Sequence, residues 1–432
     1  MLSAADNELL TRTGPGTPMG EYFRRYWLPV ALSRELPEPD GAPIRVRMLG
    51  EDLLAFRDTQ GRVGLVEPLC AHRGANLFFG RNEEGGIRCI YHGWKYDVEG
   101  RCLEMPNVPP GAAYHGKITI KAYPTREAGE LVWAYLGPRS QMPSELPQLE
   151  FAVLPAAHRY VTKRVQQCNW AQSAEGGLDT AHFSFLHMPA PSVTSYVNPA
   201  TAADESRLRW LRDDPMPEFT IIEYDVGFVV GGSRRADDDQ SYWRATQYLL
   251  PSHSVAPSAM PGEFYQGYTW VPIDDESCWI YTYAWHPDRP LSTAERARFE
   301  KGGYGQFAEL GPGYVPLRNR TNDYLIDREK QKRRSFTGVD GIAEQDALAQ
   351  DSQGLIADRT REHLTVTDAA VVRWRRWMLD AARALAQGRE PDAPRRPASY
   401  RVRAGGALTP ARLSFAEVMR QRFGSETGKV DE

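Results

Sequence analysis

Two short segments restrict this chain more than anything else in it: Cys70-Ala71-His72 and, after sixteen intervening residues, Cys89-Ile90-Tyr91-His92. Each is a tight loop offering one thiolate and one imidazole together, and each is followed by a glycine, Gly74 or Gly93, that permits close backbone approach. Both loops end short strand-like runs. Two Cys and two His also build structural zinc sites, but zinc fingers pair Cys with Cys and His with His along the chain. Here each pair is mixed.

Mixed pairs at this spacing hold a Rieske [2Fe-2S] cluster, in which two Cys bind one iron and two His the other. Neutral imidazole in place of thiolate removes negative charge and raises the reduction potential, giving a moderate one-electron carrier. The expected cluster ligands are Cys70, His72, Cys89 and His92, one cluster per subunit. Around them residues 44–49, 53–56, 63–66, 95–98 and 131–136 read as short strands separated by Gly, Asp and Asn turns, predicting an all-β N-terminal domain. A proline-rich stretch, Gly137-Pro138 through Pro143 and Pro147, reads as a linker. It places a Rieske domain at 1–140, with its core at about 27–136, and a catalytic domain at 141–432.

In the second domain residues 169–187 are helix-like, and 219–286 supply longer strands rich in aromatic and branched residues, among them 242–250 and 278–285. The reading is one large antiparallel sheet flanked by helices, so the fold class is α+β. Val371, Trp374, Met378, Ala381 and Leu385 recur at helical spacing within 368–387, with Thr367 as N-cap and Gly388 as stop, and predict a helix packed on that sheet. The polar tail after Ser425 is expected to be mobile. With 432 residues and a net charge of -4, the chain reads as a soluble globular protein with two or more cores. It has no long basic block for nucleic acid, no stretch apolar enough for a membrane, and no secretory signal in its first ten residues. Beyond Cys70 and Cys89, the three cysteines Cys102, Cys168 and Cys278 are odd in number and irregularly spaced, which argues against a disulfide framework and for a cytoplasmic location.

A one-electron carrier needs somewhere to deliver electrons. Asp179-Thr180-Ala181-His182 and His187 supply two imidazoles five residues apart, preceded by a carboxylate. A regular helix would set His182 and His187 about 140° apart, so the helix must end or bulge if both bind one metal. Two His and one carboxylate on one face of an octahedron hold Fe(II) and leave positions open for O2 and substrate. The carboxylate lies downstream, with Glu344, Asp346 and Asp351 as candidates that spacing does not separate.

Together, Cys70-Ala71-His72-Arg73-Gly74-Ala75, Cys89-Ile90-Tyr91-His92-Gly93-Trp94, Asn169-Trp170 leading to Glu175 and 179–187, and the late run Leu325-Ile326-Asp327-Arg328-Glu329 through Gln345-Asp346 resemble a known family. It is that of the oxygenase (alpha) subunits of Rieske non-heme iron ring-hydroxylating oxygenases, in the phthalate dioxygenase-like group that includes 3-chlorobenzoate dioxygenase and some aryl O-demethylases. The resemblance implies that Asp346 is the third ligand of one mononuclear Fe(II) per subunit. It implies that Asp179 is catalytic, bridging His182 to His92 of a neighbouring protomer, in a homotrimer or two such rings stacked as a hexamer. Asp351 departs from the family pattern, standing where Glu is expected. The chain lacks a dinucleotide fingerprint, a flavin motif and a plant-type ferredoxin cysteine run, so a separate flavin and iron-sulfur NADH reductase is the implied electron source. The implied reaction is cis-dihydroxylation of an aromatic carboxylate by O2, with O-demethylation of a methoxylated aromatic acid as the rival. Arg244, and Arg207 or Arg209, are the candidate partners of the substrate carboxylate.

Overall fold

Short apolar runs broken by Gly and Asp turns cannot build long strands, and the N-terminal half accordingly forms three small antiparallel sheets. The computed structural model describes residues 1–109, 111, 114–190, 205–257, 260 and 262–430. Trp27–Leu32, Leu131–Tyr135 and Thr125–Ala128 make one sheet, and Ile44–Met48, Glu51–Arg57, Val63–Val66 and Ala122–Tyr123 a second. The third sheet, Arg81–Glu83, Gly86–Arg88, Lys95–Tyr96 and Cys102–Glu104, carries the second cluster loop between its middle strands. The strand expected over 95–98 stops at Tyr96, because the Asp97 carboxylate accepts the N–H groups of Glu99 and Arg101 and turns the chain.

The second half is built on an eight-stranded antiparallel sheet. Its order runs Arg159–Gln166, Cys278–Trp285, Tyr265–Pro272, His253–Val255, Gln240–Leu249, Gly227–Arg235, Glu218–Tyr224, and Gly406–Pro410 pairs with Gln240–Leu249. The expected C-terminal helix spans Ala369–Ala386 and packs Trp374 edge-on to Trp170 and Tyr248, at ring separations of 5.5 and 5.9 Å. Its entry differs from the expectation at Thr367. Thr365 forms the capping box with Asp368, because Thr-x-x-Asp closes both backbone donors reciprocally. Nor is the tail free through residue 430: Lys429 pairs with Asp225 at 2.8 Å and Val430 N–H donates to Arg401. The charge of Lys429, polar on a hydropathy scale, is what pins it.

One apolar core runs through both halves. Trp27, Leu28, Trp133 and Tyr135 from the first sheet belong to the same buried cluster as Trp170, Tyr248, Trp270 and Trp374. The segment before Trp27 packs against the second half: Phe23 lies 4.7 Å from Trp170, and Asn169 Nδ2 donates to Thr11 O at 2.9 Å. A separate, smaller core of Leu54, Phe56, Ile87, Tyr96 and Ile120 supports the cluster loops.

Candidate metal centres

The two cluster loops repeat one hydrogen-bond pattern. Cys70 N–H donates to Ala75 O and Gly74 N–H to Cys70 O, both at 2.9 Å; Cys89 N–H donates to Trp94 O at 2.8 Å and Gly93 N–H to Cys89 O at 3.0 Å. Gly74 and Gly93 adopt φ of +71° and +75°, a region strained for any side chain. The paired loops bring the His72 and His92 rings to 4.4 Å, with His72 stacked on Trp94 at 4.6 Å. Cys70 and Cys89 are buried beside them. Burial and the neighbouring Cys70 thiol push the Cys89 thiol up, outweighing the Tyr91 and His92 backbone N–H groups, so a positive partner is needed to make both thiolates. His92 Nδ1 is buried with no hydrogen-bond partner. An orphaned imidazole nitrogen and two buried thiols fit a metal cluster, which would satisfy all three. Tyr96, which sequence reading did not single out, sets its hydroxyl 3.3 Å from Cys70 Sγ while accepting Ala71 N–H at 3.1 Å. The loop tips are rimmed by exposed apolar side chains, Leu69, Phe79, Ile90 and Tyr91.

The helix expected over 169–187 is confined to Trp170–Leu178. Asn169 caps its start by accepting Ala171 N–H at 3.0 Å, and Asp179 ends it. The Asp179 side chain accepts Ala181 N–H at 2.6 Å, an Asx turn that competes with helix and releases the chain into a 3-10 turn at His182–Ser184. Both imidazoles therefore leave helical geometry and converge: His182 Nε2 lies 3.1 Å from His187 Nε2. Asp346, on the Ile342–Asp351 helix, brings Oδ1 to 3.5 Å from His182 Nε2 and 3.2 Å from His187 Nε2. The other two carboxylates are engaged elsewhere. Glu344 accepts the Glu309 N–H at 3.0 Å, and Asp351 accepts the Tyr324 hydroxyl.

Each group of the triad is braced from outside. His182 Nδ1 faces Asp179 Oδ2 at 3.3 Å, His187 Nδ1 faces Gln345 Oε1 at 2.8 Å, and Gln306 Nε2 donates to Asp346 Oδ2 at 3.1 Å. Gln345 is itself oriented, since its Nε2 donates to Val339 O at 2.8 Å. Carboxylate and amide oxygens only accept, so both His rings carry hydrogen on Nδ1 and turn lone pairs inward. Two lone-pair nitrogens and a carboxylate oxygen facing one another repel unless a cation sits among them. Ligands about 2.1 Å from one ion and at right angles stand about 3.0 Å apart, close to the spacings found here. His182, His187 and Asp346 form the one group of three or more His, Cys, Asp or Glu side chains among the described residues that could hold a single metal ion. Burial would lower the His182 pKa, but the Asp179 and Asp346 carboxylates outweigh it and raise it. Burial raises and the two imidazoles lower the Asp346 carboxyl, leaving it below its ordinary range.

A cavity, partly open to solvent, lies against His187 and Gln306. Arg244 and Arg207 both line it, together with Phe183, Glu263 and Tyr268. Arg209 does not; it is exposed and pairs with Asp237. Asp179, His182 and Asp346 also border a second, open cleft on the molecular surface. Gln306 carries no local sequence signal, and Gln345 shows one only as the residue beside Asp346.

Residues 26–124 match the Rieske [2Fe-2S] domain family, and residues 134–403 match the family described as LigXa C-terminal domain like. The phthalate 4,5-dioxygenase oxygenase subunit of Pseudomonas putida is 40% identical over 90% of this chain and 88% of its own length. The 3-chlorobenzoate-3,4-dioxygenase oxygenase subunit of Comamonas testosteroni is 36% identical over 98% of this chain and 99% of its own. Among solved structures, dicamba monooxygenase bound to 3,6 dichlorosalicylic acid covers 85% of this chain and 99% of that chain with a TM-score of 0.58 at 18% identity, which shows the shared fold. The chain belongs to the Rieske non-heme iron aromatic ring-hydroxylating dioxygenases, as an oxygenase subunit. It is therefore a protein of one Rieske [2Fe-2S] cluster and one mononuclear iron. No helix among the described residues is long and apolar enough to cross a membrane.

Proposed function

We propose that this protein is the terminal oxygenase of an aromatic-acid degradation system, adding both atoms of O2 to the ring of an aromatic carboxylate of the phthalate or chlorobenzoate type as a cis-dihydrodiol. Cys70, His72, Cys89 and His92 hold the cluster, and His182, His187 and Asp346 hold the iron. Bound there, the iron supplies O2 activation at positions the three protein ligands leave open. The observation that carries the reading is the convergence of those three side chains beside a cavity walled by a buried arginine.

Arg244 and Arg207 supply the charge a ring carboxylate requires when it leaves water. Phe183 spaces Arg244 from the triad, lying 3.8 Å under the guanidinium and 4.6 Å from the His187 ring. An acid anchored on Arg244 thus presents its ring, and not its carboxylate, toward His187. Asp179 holds the His182 tautomer and remains partly exposed in the open cleft, where it can accept a hydrogen bond from His92 of a neighbouring subunit. The exposed apolar rim of the cluster loops suits that docking, in a homotrimer or a stacked hexamer, and a flavin and iron-sulfur NADH reductase feeds the cluster. The names of the two relatives support this reading, and the free state of all five cysteines suits a cytoplasmic protein.

The test is single turnover of the reduced, iron-loaded protein with benzoates, phthalates and methoxybenzoates under labelled O2, read by product mass. Two labelled oxygens with two added hydrogens support the proposal. Release of formaldehyde from a methoxybenzoate would replace it with O-demethylation. Arg244→Ala should raise the Michaelis constant for the acid with both metals retained, and an unchanged constant would move the anchor elsewhere.

A further inference from the structure

The carboxylate of the triad stands on a helix that one turn grips from the side. Asp323, Tyr324 and Leu325 take φ of +49°, +54° and +50°, three successive residues with side chains in the left-handed region. Each is unfavourable there, and such a run persists only where its surroundings over-determine it. Those surroundings are present. Asn319 O accepts Tyr324 N–H at 3.0 Å, and the side chains of Asn319 and Asn322 accept the backbone N–H groups of Thr321 at 2.9 Å and Asn319 at 3.0 Å. The result is the direction of one side chain: Tyr324 enters the interior at 5% exposure, while Leu325 beside it stays at 58%.

Tyr324 meets the Ile342–Asp351 helix at two levels. Its hydroxyl donates to the buried carboxylate of Asp351 at the helix end, and lies 3.4 Å from Ala347 O, the carbonyl next after Asp346. Arg320 of the same turn donates from Nη2 to Asp351 O at 2.9 Å. A buried carboxylate is costly without a matched donor, and Tyr324 supplies one. The Tyr324 ring joins Val339 and Ala347 in a small apolar cluster separate from the main core. Val339 O is the acceptor that orients Gln345, and Gln345 faces His187 Nδ1. One side chain therefore bears on two members of the triad, on Asp346 through the helix and on His187 through Val339 and Gln345. We propose that Tyr324 is a positioning residue for the mononuclear metal, setting the register of the Asp346 helix through its hydrogen bond to Asp351. This rests on the reading of His182, His187 and Asp346 as the metal ligands.

The experiment takes the full-length, cluster-loaded protein, empties its mononuclear site with a chelator and titrates it with Co(II), whose visible difference bands report ligand geometry. Wild type should bind Co(II) at a site that His182→Ala abolishes. Tyr324→Phe deletes only the hydroxyl, and should weaken Co(II) binding at least about tenfold and shift its bands, with the cluster spectrum unchanged. Asp351→Leu should do the same, and the double variant should fall within about threefold of either single one, because each removes the same bond. Asp351→Asn keeps an acceptor and should stay within about threefold of wild type. Met378→Ala opens the core under the C-terminal helix, and should lower the melting temperature without moving affinity or bands. Wild-type affinity and bands in Tyr324→Phe overturn the proposal, and so do losses that add in the double variant. An equal loss in Met378→Ala also overturns it, since general stability would then be the cause. A wild type that binds no Co(II), or a His182→Ala variant that still binds it, overturns the reading of the ligands instead. Should Asp351→Leu not fold, Tyr324→Phe, Asp351→Asn and Met378→Ala still decide.

Discussion

The cluster loops and the iron triad solve the same problem, presenting neutral imidazoles to a metal, by opposite means. The loops take all four side chains from residues 70–92, shape them with backbone hydrogen bonds, and leave the tip exposed. The triad joins the turn holding His182 and His187 to Asp346 on a helix far downstream, orients its members with the side chains of Asp179, Gln306 and Gln345, and sets them between an internal cavity and an open cleft. Local backbone order makes a site that is self-contained. Distant side-chain order makes one that depends on the whole domain.

That contrast predicts, first, that the centres can be emptied separately. His182→Ala or Asp346→Ala should abolish the mononuclear iron and reduce activity by at least about a thousandfold, with the visible spectrum of the cluster retained. Cys70→Ala should bleach the cluster while the triad still takes Co(II), read by its electronic spectrum. Loss of both metals from either variant would break the comparison.

Bracing side chains should matter next. Gln345→Leu removes the acceptor that fixes the His187 tautomer, and metal affinity should fall about 10- to 100-fold in a titration, with the cluster unaffected. At the other centre, Tyr96→Phe deletes the hydroxyl beside Cys70 and should lower the cluster potential by about 60 mV, the equivalent of one modest hydrogen bond, measured by redox titration. Its iron content should not change.

The gentlest probe is pH. In the metal-free protein the His182 pKa is raised by Asp179 and Asp346, so the stability from that pairing is fully present below the ordinary imidazole range and is lost as pH rises through the raised value. Metal binding must expel that proton, so affinity should climb with pH and level off above the same value. Thermal melts of the metal-free and Co(II)-loaded forms should therefore diverge as pH increases. Parallel curves would mean His182 is not a ligand.

The same contrast explains what could be read in the sequence. The cluster was legible because its ligands and glycines are neighbours in the chain. His182 and His187 were legible as a pair, but residues 179–187 read as helix, since an Asx turn at Asp179 depends on one side chain choosing its own backbone. Among Glu344, Asp346 and Asp351 no spacing could choose; the choice follows from which face of one helix meets the two imidazoles, a matter of tertiary packing. Gln306 and Glu263 lie in no motif at all. The large sheet was visible in its aromatic strands, while Lys429 shows that a polar residue in a tail-like stretch can be held by partners distant in the chain, Asp225 and Ser399.

The apolar cluster shared by Trp27, Trp133, Trp170 and Trp374 has a mechanical meaning. Two modules joined this way behave as one bracket, and the proline-rich segment between them is left without freedom to act as a hinge. Heating should melt both in a single cooperative step, and the cluster loops should keep a fixed position relative to the iron triad of the same chain.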